Sequence, residues 1–137
     1  MRNLLVAAAA LLFAIGMNAQ QEPIKLVFDV GSGDPEVQKT AARHLKGMSE
    51  AYPESEFEMV IYSGAYDLVT KKNSVARETL EEVAKRDNVT VVVCQQTLNR
   101  HKLAMEDLIP GIMPVPDGIY ELISRQQQGW GYIKEAN

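Results

Sequence analysis

The chain has 137 residues, of which 46% are hydrophobic and 23% charged, with a formal net charge of −4. That length supplies one domain with a real core, and that balance excludes a disordered chain. The basic residues form no patch interleaved with aromatics, so the composition speaks against nucleic acid or an anionic membrane as partner.

The first residues read apart from the rest. Met1-Arg2-Asn3 is a short basic start, residues 4–15 are an unbroken apolar run, and Gly16-Met17-Asn18-Ala19 closes it ahead of Gln20-Gln21-Glu22. The pattern is that of a secretory signal peptide over residues 1–19, cleaved after Ala19. Such a run rises only about 18 Å as a helix, short of a bilayer core of roughly 30 Å, so no stable membrane anchor is expected. The expectation is an exported chain, periplasmic or secreted, whose mature region, residues 20–137, is a single domain. Loss of Arg2 makes the mature chain more acidic by a single charge.

Ile24-Lys25-Leu26-Val27-Phe28-Asp29-Val30 predicts a first strand, nearly continuous in apolar residues as a central parallel strand is. Gly31-Ser32-Gly33-Asp34-Pro35 is a turn in which Asp34 caps a helix and Pro35 takes its first position. Val37, Ala41, Leu45, Met48 and Tyr52 recur at helical spacing, and Pro53 ends the run. Residues 57–62 predict a second strand, and 63–72 a loop with a short helical turn at 66–69. Ser74 is placed to cap a second helix whose apolar face is Val75 or Ala76, Thr79, Leu80 and Val83.

Val89-Thr90-Val91-Val92-Val93-Cys94 is the third strand. A third helix is expected over 98–108, broken by Pro110-Gly111. Ile112-Met113-Pro114-Val115 is a short strand whose proline argues for an edge. Pro116-Asp117-Gly118 leads into a fourth helix with Ile119, Leu122, Ile123 and Gln126 on its apolar face. Gly129 stops it, and 130–133 form a last strand. Strand and helix alternate throughout, and each connection is long enough for a crossover. The prediction is an α/β domain with a largely parallel sheet and helices on both faces.

Cys94 is the single cysteine, so it forms no internal disulfide. It is a small buried hydrophobe, a reactive thiol or an intermolecular partner. It stands at the carboxyl end of a strand and at the entry to Gln95-Gln96-Thr97-Leu98, a place where α/β folds put chemistry. A helix start and nearby cations lower a thiol pKa, and Arg100 and His101 bring positive charge close in sequence. His101 is the nearest candidate base, although two helical turns separate it from the helix start; His44 reads as an edge-of-core histidine.

Gly31, Ser32 and Gly33 resemble a phosphate loop only superficially, lacking the third glycine and the Lys-Ser or Lys-Thr that would follow. As a capped turn they still open at the sheet edge expected for Cys94, and so join Gln95, Thr97, Arg100 and His101 as candidate pocket residues. One cysteine and two scattered histidines make no metal site, and nothing calls for a cofactor. Asn88-Val89-Thr90 matches a glycosylation triplet at a strand entry, and Asp29 is a strand-end acid without an evident partner.

Cys94 followed by Thr97-Leu98, then Pro110-Gly111, Val115-Pro116 and Gln128-Gly129-Trp130-Gly131-Tyr132-Ile133, resembles the small single-domain branch of the DsrE/DsrF-like family. The resemblance covers essentially the whole mature chain. It implies a three-layer α/β/α sandwich with a five-stranded, mainly parallel sheet, and a homo-oligomer, trimer or hexamer. It also implies that Cys94 accepts sulfane sulfur as a persulfide and passes it on, with a donor or acceptor protein as partner. The best-understood relatives act in the cytosol, so their pathways do not carry over to an exported chain. Beside the sulfur-handling reading stand two others: a module that binds a small ligand or protein at this sheet edge, and an oligomer whose role is its surface.

Overall fold

The computed structural model describes residues 21–136; the expected signal peptide lies outside them. Five strands form one sheet: β1 (Lys25–Val30), β2 (Glu56–Ile61), β3 (Val89–Cys94), β4 (Met113–Val115) and β5 (Gly131–Lys134). Their order is β4-β3-β2-β1-β5, and every pair is parallel. The helices are α1 (Pro35–Ala51), α2 (Arg77–Val83), α3 (Gln95–Arg100) and α4 (Gly118–Gln127), with 3-10 turns at Ser63–Val69 and Met105–Asp107.

The order explains the layers. The chain steps from β1 to β4 in one direction, then returns across the sheet so that β5 pairs with β1. Right-handed crossovers put helices from opposite directions of travel on opposite faces. Accordingly α1, α2 and α3 cover one face, where Ala41, Leu45, Leu80, Val83 and Leu98 meet Phe28, Phe57, Met59, Val91 and Val93. Among the described residues only α4 covers the other face, where Leu122 meets Val27, Val60 and Val92. The three-layer α/β/α sandwich with a five-stranded sheet is thus what the chain adopts.

Alternation along the strands decides what faces α4. Val27, Val60 and Val92 are on that side, so Asp29, Glu58, Tyr62 and Cys94, each two residues away, share it. The thick core sits on the other face, and the thin one carries the polar groups.

The local signals mostly hold. Asp34 caps α1, its side chain accepting from the Glu36 N–H, with Pro35 at the first turn. Val37, Ala41 and Leu45 are buried as their spacing requires, while Tyr52 lies at the helix end and is exposed. Pro114 sits in edge strand β4. Three expectations are corrected. Ser74 does not cap α2; its hydroxyl accepts from the Ala76 N–H and closes a turn one step ahead of the helix. The helix expected at 98–108 is α3, which starts at Gln95 directly after the strand and ends at Arg100. Lys102 takes a positive φ of 54° and the Leu103 N–H returns to the Leu98 carbonyl. Finally, α4 does not bury the face drawn from its apolar spacing. Gly118 and Leu122 are buried, while Ile119 and Ile123 are 50% and 49% exposed.

Candidate functional site

Cys94 is the last residue of β3 and the N-cap of α3, 7% exposed. A strand that turns into a helix without a loop aims the first helical N–H groups back at the strand's last side chain. The Gln96 and Thr97 N–H groups and the Thr97 hydroxyl favour the thiolate from there, although the Cys94 side chain accepts no cap hydrogen bond. The second contribution comes from the opposite direction. Gly118, the first residue of α4, closes over the thiol; a Cβ there would stand 3.1 Å from the Cys94 Cβ and 3.3 Å from the Tyr62 Cβ. That close approach needs glycine, and it brings the Gly118 N–H to the sulfur.

Asp117 frees that N–H for the task. As N-cap of α4 it accepts from the Ile119 and Tyr120 N–H groups at 2.8 and 3.1 Å, and its other oxygen takes the Gln96 amide at 3.3 Å. The starts of α3 and α4 are so tied together around one sulfur. Burial, the largest single influence, pushes the thiol pKa up. The donors from Gly118, then Thr97 and Gln96, outweigh it, and the thiol ends below its ordinary value of 9.0.

The neighbouring loops are knitted to this point. The Ser63 N–H donates to Thr97 Oγ1 at 3.0 Å, and the Gly64 N–H to the Gly31 carbonyl at 3.1 Å. Gly31 and Ser32, with Tyr62, Ser63, Lys134 and Glu135, wall a cleft of about 320 Å³. Cys94 is not in its wall; Tyr62 stands between the two, its ring 3.0 Å from where a Gly31 Cβ would be.

Thus Gln95 and Thr97 stand beside Cys94, and Gly31 and Ser32 line the next cleft along the same edge. Gly33 packs against the Gly64 backbone. Arg100 and His101 sit exposed at the far end of α3. The His101 ring stacks on Tyr66 at 3.6 Å, and neither residue is among the groups that lower the Cys94 pKa. Positive charge near in sequence is thus replaced by backbone N–H groups near in space. Asn88 is engaged as well: its amide donates to the Ser49 and Ser55 carbonyls, both at 3.2 Å.

Two acids lie on the α4 face: Asp29, which the sequence offers as a strand-end site acid without a partner, and Glu58, which it does not single out. Asp29, 4% exposed, accepts from the Tyr132 hydroxyl at 2.5 Å through Oδ2, while Oδ1 has no hydrogen-bond partner among the described residues. Glu58, 1% exposed, meets Arg125 of α4 at 2.7 Å. A carboxylate inside an otherwise apolar strand is the sequence signal for the second. The first depends on β5 returning beside β1, which no local pattern announces. No group of three or more His, Cys, Asp or Glu able to hold a metal ion occurs among the described residues. No helix among them is long and apolar enough to cross a membrane.

The family described as DsrE/DsrF-like matches residues 7–134, and the chain belongs to it. A search of curated proteins finds no significant sequence match. Among solved structures, the chain is similar to the protein of unknown function MTH1491 from Methanobacterium thermoautotrophicum. Identity is 22% and the TM-score 0.74, over 81% of this chain and 98% of that one. It is also similar to the ychN protein of E. coli, with 16% identity and a TM-score of 0.66 over 83% and 99% of the two chains. A conserved protein of unknown function from Bacteroides thetaiotaomicron, BT1422, gives 17% and 0.65 over 80% and 93%. These likenesses establish a shared fold.

Proposed function

We propose that this DsrE/DsrF-like chain handles sulfur, with Cys94 as acceptor and carrier of a sulfane sulfur. The observation that carries the reading is the place of the one thiol of the chain, at the end of β3 and the start of α3 with the first residue of α4 packed against it, where neighbouring N–H groups lower its pKa. The thiolate is the nucleophile in sulfur exchange, and a stabilised thiolate is available at neutral pH. In the proposed step Cys94–S⁻ attacks the outer sulfur of a donor persulfide R–S–SH. The donor S–S bond breaks, Cys94–S–SH forms and RS⁻ departs, with no net oxidation. The same donors that hold the thiolate then face the inner sulfur of the product. Passing the sulfur on is the reverse reaction toward another thiolate.

Intact mass of the protein, with and without polysulfide and then with reductant, tests this. The expected result is a gain of one sulfur that reductant removes and that Cys94→Ser abolishes. A Cys94 that takes up no sulfur from polysulfide or from a persulfide donor overturns it.

The cleft of Gly31, Ser32, Tyr62 and Ser63 supports a second reading, a ligand- or protein-binding module, because Cys94 is outside its wall. Under that reading Cys94→Ser leaves binding intact. Two further properties are proposed with these readings. The leader-like residues 1–19 support export, tested by fractionation and the mature N-terminus. The exposed Met113 on edge strand β4 and Tyr132 and Ile133 on edge strand β5 support a homo-oligomer, tested by light scattering.

A further inference from the structure

The packing of α4 runs against its sequence. Its apolar residues Ile119, Leu122 and Ile123 lie on one stripe, and a helix is expected to bury such a stripe. Instead the residues against the sheet are Gly118, Leu122 and Arg125, at spacings of four and three. The helix is thus rotated away from its own most apolar face, leaving Ile119 and Ile123 half exposed. Burial of Leu122 supplies only about 1.5–3 kcal/mol to hold that rotation, and a roll toward the isoleucines would supply a similar amount.

A buried ion pair opposes the roll. Arg125 Nη2 lies 2.7 Å from Glu58 Oε2, and Glu58 is 1% exposed in a central strand. Arg125 is held on its other sides too: its guanidinium stands 4.9 Å from the Trp130 ring centre, and its Nε lies 3.0 Å from Glu121 Oε1. A buried ion pair is a poor source of stability, since an apolar pair of similar volume does as well or better; its best-attested use is to fix register. Above neutral pH, where Glu58 is ionised, rolling α4 would strip this pair of its geometry and leave a buried carboxylate without its partner, which is unfavourable.

We propose that Glu58 and Arg125 are positioning residues for Cys94. Their ion pair fixes the rotation of α4 against the pull of Ile119 and Ile123, and so keeps the Gly118 N–H on the sulfur. The two ends of this lever are seven residues apart, about 10 Å along the helix, on one face. The inference rests on Cys94 being the reacting thiol, yet it concerns the thiol and not the sulfur it receives. Alkylation of Cys94 reads it directly, so it stands or falls separately from persulfide uptake.

The test compares the full chain with Glu58→Gln and Glu58→Met, following the pH profile of Cys94 alkylation together with the denaturant midpoint. Glu58→Met fills the site with apolar volume, so its midpoint is expected near or above the parent's. Its thiol pKa should nevertheless rise by about one unit above neutral pH, where the parent's Glu58 is ionised, which is about tenfold slower alkylation at a pH below the thiol pKa. Glu58→Gln keeps the shape without the charge, covering the case in which the methionine variant fails to fold. Replacing Ile119 and Ile123 by Ser in the Glu58→Met background removes the pull and should return the profile toward the parent's. A folded Glu58→Met or Glu58→Gln protein whose alkylation profile superimposes on the parent's overturns the proposal. So does a shift in the Glu58→Met protein that persists without the two isoleucines.

Discussion

Gly118 backs directly onto Cys94: a Cβ at 118 would stand 3.1 Å from the cysteine's Cβ, and the Gly118 N–H faces its sulfur. The two atoms that would collide belong to a strand end and a helix start, and neither is the tip of a flexible side chain. The start of α4 or the end of β3 must therefore give by a few tenths of an ångström to admit a side chain there.

Gly118→Ala is accordingly expected to cost about 1–3 kcal/mol, the usual range for overpacking. It should also raise the Cys94 pKa, because the shift withdraws the leading donor. Urea denaturation reads the first effect and the pH dependence of alkylation the second. A variant that is destabilised but keeps the parent alkylation profile would assign the Gly118 N–H no role in holding the thiolate.

Some of this site was legible in the sequence and some was not, for identifiable reasons. The run Val89 to Val93 ending in Cys94 announced a strand-end thiol, and the turn Gly31-Ser32-Gly33-Asp34-Pro35 announced a capped helix, because both signals are local. The donor from Gly118 was not legible, since it depends on α4 crossing back over the sheet. Its trace is a glycine at a helix start, where glycine is not otherwise favoured. The cations expected from Arg100 and His101 failed because α3 carries them away from its own N-terminus. The apolar face drawn for α4 failed because Gly118, Leu122 and Arg125 take the side against the sheet, where Arg125 meets the buried Glu58, a contact between distant elements that no local pattern announces.

The pair Asp29 and Tyr132 gives a prediction at high pH. Tyr132 is pushed up to about 12, chiefly by its bond to Asp29 and then by burial. Tyr62 is also pushed up to about 12, chiefly by burial and then by Asp29. An absorbance titration of the phenols should therefore show two of the five tyrosines ionising about two units late. Asp29→Asn should bring Tyr132 down furthest and Tyr62 less, since its main cause remains. Should both late phenols persist unchanged in that variant, Asp29 would not be the group that holds them.

Glu58 gives a prediction at neutral pH and below. Burial, and then the Glu121 carboxyl beside it, raise its pKa from 4.5 to about 7, against the lowering influence of Arg125. Its oxygen Oε1 has no hydrogen-bond partner among the described residues in the ionised form; a proton on Glu58 supplies a donor there. The folded state thus binds this proton more tightly than the unfolded chain does. The stability it contributes is fully present below about 4.5 and is lost as the pH rises through about 7. The full effect is at most about 3 kcal/mol. Urea midpoints of the parent and of Glu58→Gln, measured from about pH 4.5 to about pH 8, isolate this group from the other carboxylates. The parent should lose stability relative to the variant across that range, with the steepest change near neutrality. Parallel curves would mean that Glu58 is ionised throughout.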